Sequence, residues 1–398
     1  MRPFKLAVRL ALVALPLAVS ACGGASFDDP AQIKGLRVIA VQKSKPYPQP
    51  GDTVDLKMLF WDGKATEDNP RDLFVRIAPV ACENPPGDLY YNCLLQVGDI
   101  LSGGGGVTDA GADGDTPEGG APEGGMPMAR SSQGGDLQHP GFVPITAANA
   151  GPLHRMSLAD FSAPQKIERA SGAHQANVIE QKISISSEII NKHAAPPTGQ
   201  KYGLAYVLFT ACAGEIRIIP NPGQNKLPFG CFDSSGKQLG ADDFVFGYTS
   251  MYVYENRVQT NPGLNDLTFE GASIVGSTTD ESLVRHVPAC KASDRTTCQT
   301  FPLKVIVDPA TVAEIDDDPN AKTPDGKQLK EQVWVNYYLT AGSFKSSVRL
   351  INDATSGFND KNEGEFTPPA ESGPLRLFGV LHDNRGGVNW LEGKIIVD

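Results

Sequence analysis

The chain has 398 residues, 40% of them hydrophobic, with 42 glycines, 31 prolines, seven cysteines and a formal net charge of −11. An acidic surface repels phosphate backbones, and no stretch gathers Lys and Arg with interleaved aromatics, so nucleic acid is not an expected partner. Beyond the first twenty or so residues no apolar run approaches the ~20 needed to span a bilayer as a helix, and at about 150 residues per domain the length predicts two or three domains.

At the N-terminus, Arg2, Lys5 and Arg9 form a positive region, Leu10 to Leu17 a short apolar one, and Val19-Ser20-Ala21-Cys22 follows. This order reads as a signal peptide over residues 1–21. The tetrapeptide resembles a bacterial lipobox. That resemblance implies that Cys22 becomes the mature N-terminus, carrying a thioether diacylglycerol and an N-acyl chain; several chains anchor durably because each buried CH₂ contributes about 0.8 kcal/mol. Gly23, where an Asp would imply retention at the inner membrane, points the resemblance to the outer membrane. The competing reading is an ordinary signal peptide whose cleavage releases the protein. Residues 22–34 are expected to be a lipidated polar tether.

Setting Cys22 aside leaves an even set, Cys82, Cys93, Cys212, Cys231, Cys290 and Cys298. In an exported chain an even set reads as disulfides. The neighbouring pairs Cys82/Cys93, Cys212/Cys231 and Cys290/Cys298 are favoured because each closes a short loop rich in turn residues. Zinc is the poorer reading, since no pair has C-x-x-C spacing and no His lies at ligand spacing.

Strand signals begin with Leu36 to Val41. In Thr53 to Trp61, Val54, Leu56, Met58 and Phe60 alternate with Thr53, Asp55, Lys57 and Leu59, the period of a half-buried strand. Leu73, Val75 and Ile77 repeat the alternation, as do Ile183 and Ile185. Gly203 to Cys212 is apolar on both faces, which suits a central strand, and Phe244, Phe246, Tyr248, Tyr252 and Tyr254 share a parity. A first β-sandwich over residues 35–255 follows. Within it, residues 102–140 collapse into Gly, Ala, Asp, Glu and Pro, with the near repeat Pro117 to Ala121 and Pro122 to Met126; too little is left to bury, so a disordered acidic insert is expected. Leu158 to Phe161 could start a short helix.

A second sandwich is expected over residues 256–398, with strands at Leu267 to Phe269, Phe301 to Val307, Val333 to Leu339, Val348 to Ile351, Leu375 to His382 and Val388 to Val397. The last two are joined through Asp383-Asn384-Arg385-Gly386-Gly387, whose Asn and glycines tolerate positive φ. Asp325 to Gln332 is the most helix-like stretch. The fold class is thus all-β: two Ig-like antiparallel sandwiches, without the Cys…Trp…Cys spacing of true immunoglobulin domains.

The lipobox, the opening Gly35 to Val41 with Pro50-Gly51 after it, and the closing Leu381 to Trp390 together resemble an uncharacterised group of lipoproteins common in myxobacteria and their relatives. The resemblance covers most of the chain outside the insert and implies no particular activity.

Motifs for chemistry are missing. No Gly-x-Ser-x-Gly elbow is present, as Gly271-Ala272-Ser273-Ile274-Val275 fails at its last position. His139, His154, His174, His193, His286 and His382 form no His-x-x-x-His pair, and the glycines at 103–106 lack the Lys-Ser/Thr of a phosphate loop. Asp316 to Asn320 offers hard oxygens, but Ala321 and Lys327 stand where a calcium loop needs Gly and Glu. Asp109, Asp113 and Asp115 read as solvated residues of the insert. Two aromatic sets could form a binding face, Tyr248, Tyr252 and Tyr254, and Trp334, Asn336 and Tyr338, although alternating aromatics in a sandwich usually pack inside. Trp390 is expected to pack on its hairpin partner, with Arg385 near enough for a cation–π contact.

These readings predict an outer-membrane-anchored lipoprotein with a non-catalytic binding or structural role. Its expected partners are the membrane, through the lipid, and an envelope protein or glycan, with no cofactor and no metal. The alternative is an envelope or glycan hydrolase using a carboxylate pair that no short motif reveals.

Overall fold

The structure, a computed structural model, describes residues 29–65, 71–78, 82–90, 93, 165–167, 177–194, 196, 199–219, 229–315, 318 and 320–398. Cys22, the insert at 102–140, the 158–161 stretch, Asp316, Asp317, His139, His154 and His174 lie outside that set. The protein is all-β and sandwich-type.

Among the described residues, ten strands build the first half: β1 (Leu36–Lys43), β2 (Thr53–Asp62), β3 (Leu73–Ile77), β4 (Cys82–Glu83), β5 (Gln165–Ile167), β6 (Asn177–Ser184), β7 (Gly203–Cys212), β8 (Glu215–Ile218), β9 (Phe229–Phe232) and β10 (Phe244–Val253). One sheet has the order β1-β2-β6; the facing one runs β10-β7-β3-β5, with β4 also on β7, and β8 and β9 form a separate hairpin. The inward residues of β2, Val54, Leu56, Met58 and Phe60, meet Leu73, Val75 and Ile77 of β3, Val207 and Phe209 of β7 and Met251 and Val253 of β10. This is the alternation expected from period two, realised as a core between two sheets.

The second half contains β11 (Asp266–Phe269), β12 (Ala272–Ser273), β13 (Arg285–Val287), β14 (Phe301–Ile306), β15 (Val333–Leu339), β16 (Ser343–Phe344), β17 (Val348–Asp353), β18 (Gly357–Phe358), β19 (Gly364–Thr367), β20 (Gly373–Asp383) and β21 (Val388–Val397). They form a sheet of order β12-β11-β14-β19-β16 facing one of order β13-β21-β20-β15-β17-β18. Phe269, Leu303, Val335, Phe366, Leu377 and Ile395 fill the space between. Tyr337 is fully buried among them, and its hydroxyl donates to the Asn362 carbonyl (2.9 Å) and accepts from the Val305 amide (3.0 Å). A buried phenol needs such partners, because an unmade hydrogen bond in the interior costs about 1–3 kcal/mol.

Pairing between the strands is antiparallel, as expected, except for β13 with β21, which is parallel. Asp325 to Gln332, the most helix-like stretch, is not helical. Thr323 and Lys327 close a turn around Gly326 (φ 85°), and Lys322 bridges Gln328. A two-turn helix makes too few internal hydrogen bonds to offset its nucleation, whereas the turn draws on cross-strand pairing.

The polar tether expected over 22–34 is packed from Asp29 onward. Ala31 and Ile33 are buried, Gln32 pairs in parallel with Leu339, and the Ile33 amide donates to the Leu339 carbonyl (2.9 Å). Apolar side chains at alternate positions, Ala31 and Ile33, let this stretch act as a short strand on the second half.

Finally, β2 is half-buried, as expected, only over Thr53 to Met58. Leu59 and Trp61, on its expected polar face, are enclosed with Ile39 and Ala40 of β1, Phe378 and Val380 of β20 and Val388 of β21. A bulge in β1 between Val38 and Ala40 lets Ile39 and Ala40 both reach this cluster while Val38 and Val41 turn to the first core. The outer face of β20 thus packs on the outer face of β1 and β2, joining the two halves through a third apolar cluster.

Candidate functional site

The outer face of the β10-β7-β4 sheet carries the densest group of functional side chains. All ten residues of β7 are buried. Ala205, Val207, Phe209 and Ala211 point to the sandwich core, while Leu204, Tyr206, Leu208 and Cys212 point outward under a partial cover. That cover is held by covalent bonds. Cys212 is bridged to Cys231 of the β8–β9 hairpin and Cys82 to Cys93, with Cys290 and Cys298 bridged in the second half, so the three short-range pairs expected from spacing form.

Cys212 and Cys231 are both buried, and their loop of 19 residues is long enough for the bridge to restrict the unfolded chain appreciably. The double variant Cys212→Ala/Cys231→Ala is expected to lose about 3 kcal/mol of stability. Chemical denaturation measures it; an unchanged midpoint would show that the hairpin is held by packing alone.

Where the cover thins, tyrosines line the face. Tyr248 and Tyr252 of β10 register with Leu208 and Leu204 of β7, and Tyr206 lies opposite Ser250 between them. Tyr90, in the Cys82–Cys93 loop, stacks on Tyr248 with ring centroids 4.2 Å apart and planes 15° from parallel. Tyr206 meets Tyr248 edge-on at 5.6 Å, and Tyr202 lies 5.4 Å from Tyr252. At one end Tyr254 and Tyr47 pack edge to face at 5.0 Å, and the Arg257 guanidinium sits over both rings at 4.8 and 5.2 Å. Among the described residues, seven tyrosines therefore share one surface. Tyr248 and Tyr252 remain 43% and 42% exposed.

Asp88 organises the group. Its carboxylate accepts from Tyr202 Oη (2.7 Å) and is 2.8 Å from His193 Nε2, and its carbonyl accepts from Tyr206 Oη (2.8 Å). Burial pushes the Asp88 carboxyl up, but the hydrogen bonds from His193 and Tyr202 prevail and hold it below the ordinary carboxylate range. The same burial, with the Asp88 charge, raises the Tyr202 hydroxyl, and burial raises Tyr206 to about 12, so both phenols stay protonated and able to donate.

Asp88 has φ 57° and Asn84 φ 47°, left-handed values that Asp and Asn adopt more readily than other L-residues and that their neighbours fix here. Asn84 Nδ2 donates to the Ile189 carbonyl (2.6 Å), Asn84 Oδ1 accepts from the Leu204 amide (2.9 Å), and two tyrosine hydroxyls clamp Asp88.

A second polar group lies at the junction of the halves. Lys43, Glu331, Asp383 and Arg385 are all buried. Lys43 Nζ donates to the Ser250 carbonyl (3.0 Å). Asp383 Oδ1 accepts from the Arg385 and Gly387 amides (2.8 and 2.7 Å), folding the expected β20–β21 turn around its own side chain. Gly386 has φ 86°, and a Cβ there would stand 2.8 Å from Lys43 Nζ, so both conformation and close approach call for glycine. Gln259 links the rest: its Nε2 donates to Glu331 (2.8 Å) and its Oε1 accepts from Arg385 (2.7 Å). Burial and the neighbouring Asp383 push Glu331 up to about 8, and burial pulls Lys43 down to about 8 against the pull of Asp383.

Of the aromatic sets singled out from the sequence, Tyr248 and Tyr252 lie on the outer face as exposed rings, and Tyr254 is buried at its end. Trp334, Asn336 and Tyr338 make no comparable face: Trp334 stacks on His382 (5.5 Å, 16°), and Tyr338 packs at the junction with Trp390. Arg385 is engaged with Gln259 at the junction. Sequence reasoning missed Asp88, Tyr90, His193, Tyr202 and Tyr206. The alternation of Tyr202, Leu204, Tyr206 and Leu208 was a usable sign, because it gives β7 an amphipathic outer face. Asp88 and Tyr90 carried no sign, since it is the pairing of β4 with β7, the Asn84–Leu204 hydrogen bonds and the Cys82–Cys93 bridge together that set them beside β7. Among the described residues, no group of three or more His, Cys, Asp or Glu is placed to hold a metal ion, and no helix is long and apolar enough to cross a membrane.

No protein-family model matches the chain, and no curated protein matches it. Among solved structures, dimeric latent PorU from Porphyromonas gingivalis aligns with 92% of this chain and 24% of its own length, at 8% identity and a TM-score of 0.16. A likeness so slight bears on neither fold nor function.

Proposed function

We propose that this protein is a non-catalytic binding or structural module of the bacterial cell envelope, held at the outer membrane by a lipid on Cys22, with the tyrosine face as its contact surface. The observation that carries the reading is the cluster of tyrosines on an outer sheet face, two of which, Tyr248 and Tyr252, are exposed, backed by disulfides. Large rigid rings with a polar tip are enriched among the side chains that dominate binding surfaces. The lipobox-like Val19-Ser20-Ala21-Cys22 supports the location, and the lipoprotein group that the chain resembles is proposed on the same footing. The alternative, an envelope or glycan hydrolase, would need two carboxylates about 5–9.5 Å apart beside a substrate. The contacting carboxyls of Glu331 and Asp383 are enclosed at the junction and favour a structural role.

Two measurements test the proposal. Cys22→Ser is expected to move the protein from the membrane fraction to the soluble one, and retention in the membrane would remove the anchor. Crosslinking in intact cells, from a photoreactive residue placed at Leu89 beside the tyrosines, is expected to capture an envelope component that Tyr248→Ala/Tyr252→Ala loses. Capture that survives the double variant would remove the tyrosine face from the reading.

A further inference from the structure

We infer that the tyrosine face binds a neutral, hydroxyl-rich glycan strand, with Tyr248 and Tyr252 as stacking platforms and Asp88 as an acceptor for sugar hydroxyls. This rests on the reading of that face as the contact surface and adds the chemistry of its ligand.

Three features define the ligand. The first is spacing. Tyr248 and Tyr252 are four residues apart on the same side of β10, which sets their attachment points ~13 Å apart, about the length of two to three pyranose rings. Tyr90 already covers one face of Tyr248, so this stacked pair forms one platform and Tyr252 the other; phenol rings offer flat faces to the axial C–H face of a pyranose, and two platforms along one strand suit a linear chain of sugars better than a single one.

The second is polarity. An ionised carboxylate only accepts hydrogen bonds, with about four lone-pair sites. Asp88 uses one oxygen for His193 and the other for Tyr202, so further acceptor capacity remains on a side chain that is 35% exposed. It lies close enough to raise the Tyr252 hydroxyl electrostatically, so stacking and hydrogen bonding act on one stretch of ligand. Sugar hydroxyls are the matching donors.

The third is charge. The chain is acidic overall, and Asp88 is held in its charged form, so uronate-, sulfate- or phosphate-bearing glycans would be repelled at the point where a neutral sugar is held. The Arg257 cation at the far end is already stacked on Tyr47 and Tyr254.

The test is calorimetric titration of the full mature chain carrying Cys22→Ser with cellohexaose, chitohexaose, laminarihexaose and mannohexaose, with hexagalacturonate and decaproline as comparison ligands. At least one neutral hexasaccharide is expected to bind, hexagalacturonate and decaproline are not. Tyr248→Ala and Tyr252→Ala should each weaken binding tenfold or more, whereas Tyr248→Phe, which keeps the ring, should stay within about threefold. Asp88→Asn should weaken the neutral sugar and relieve the exclusion of hexagalacturonate, a change that simple loosening of the loop would not produce. Circular dichroism of each variant shows whether it is folded. Binding of no neutral glycan, binding that survives both alanine variants, or preference for decaproline would each overturn the inference. If glycans fail while cellular crosslinks still depend on Tyr248 and Tyr252, the ligand class falls and the contact surface stands; if the crosslinks are indifferent to both tyrosines, the surface itself falls.

Discussion

Phe378→Ala is expected to destabilise the protein by about 3–5 kcal/mol and to separate its unfolding into two transitions. The side chain is fully buried, yet it points away from the core of its own sandwich. Its ring meets Trp61 of the first half edge-on at 5.6 Å, within the cluster that also holds Ile39, Leu59, Val380 and Val388. Truncation leaves a cavity between halves, where little else can relax to fill it, and removes the apolar contact that makes them unfold together. The adjacent Leu377→Ala is the control: Leu377 faces the second core, so its loss should lower stability without dividing the transition. Differential scanning calorimetry with a chemical denaturation series distinguishes the two. A single transition in Phe378→Ala with a loss under about 1 kcal/mol would mean that the junction adds little.

The buried charges beside that cluster predict an unusual pH dependence. Glu331 has a folded value of about 8 against 4.5 in the unfolded chain. Below the unfolded value both states are protonated and nothing is lost. As pH rises from about 4.5 to 8, the unfolded chain releases this proton while the folded one keeps it, so stability falls, by up to about 1.4 kcal/mol per pH unit for one group. The raised Asp383 acts in the same direction. Lys43 has the opposite effect in a higher window: above pH 8 the folded amine has lost a proton that the unfolded chain keeps to about 10.5, so stability recovers. The protein should thus be least stable near pH 8 and gain about 3–4 kcal/mol on acidification toward pH 5.

Glu331→Gln keeps an acceptor for Gln259 but cannot ionise. It should flatten this slope, matching the native protein within about 1 kcal/mol at pH 5 and exceeding it by about 2–4 kcal/mol at pH 8. Urea denaturation at intervals between pH 5 and 8 reads the effect. An unchanged slope in the variant would show that Glu331 is not the group that holds the proton.

Much of the fold is legible in the order of residues because it is local. Val54, Leu56, Met58 and Phe60 state their period without help, Gly203 to Cys212 reads as a strand apolar on both faces, and Asp383 to Gly387 contains the residues that its turn demands. Each disulfide closes over 8 to 19 residues, so the pairing follows from proximity along the chain. Tyr248 and Tyr252 stand out by parity, but parity alone does not say which side of a sheet is covered. Leu59 shows the converse: placed with polar residues, it reads as solvent-facing and is buried by a strand more than 300 residues away.

The sequence by itself determined the longer strands, the short bridges and the all-β character, since backbone period and loop closure depend on near neighbours. Only the tertiary structure decided that the two sandwiches share a third apolar cluster, that residues 29–33 belong to the second of them, and that Asp88 and Tyr90 stand among the tyrosines. Those outcomes depend on which surfaces meet. Hydrophobic burial is non-directional and rewards any complementary apolar face, so an exposed-looking Leu59 or Ile33 finds its partner only when the whole chain is packed.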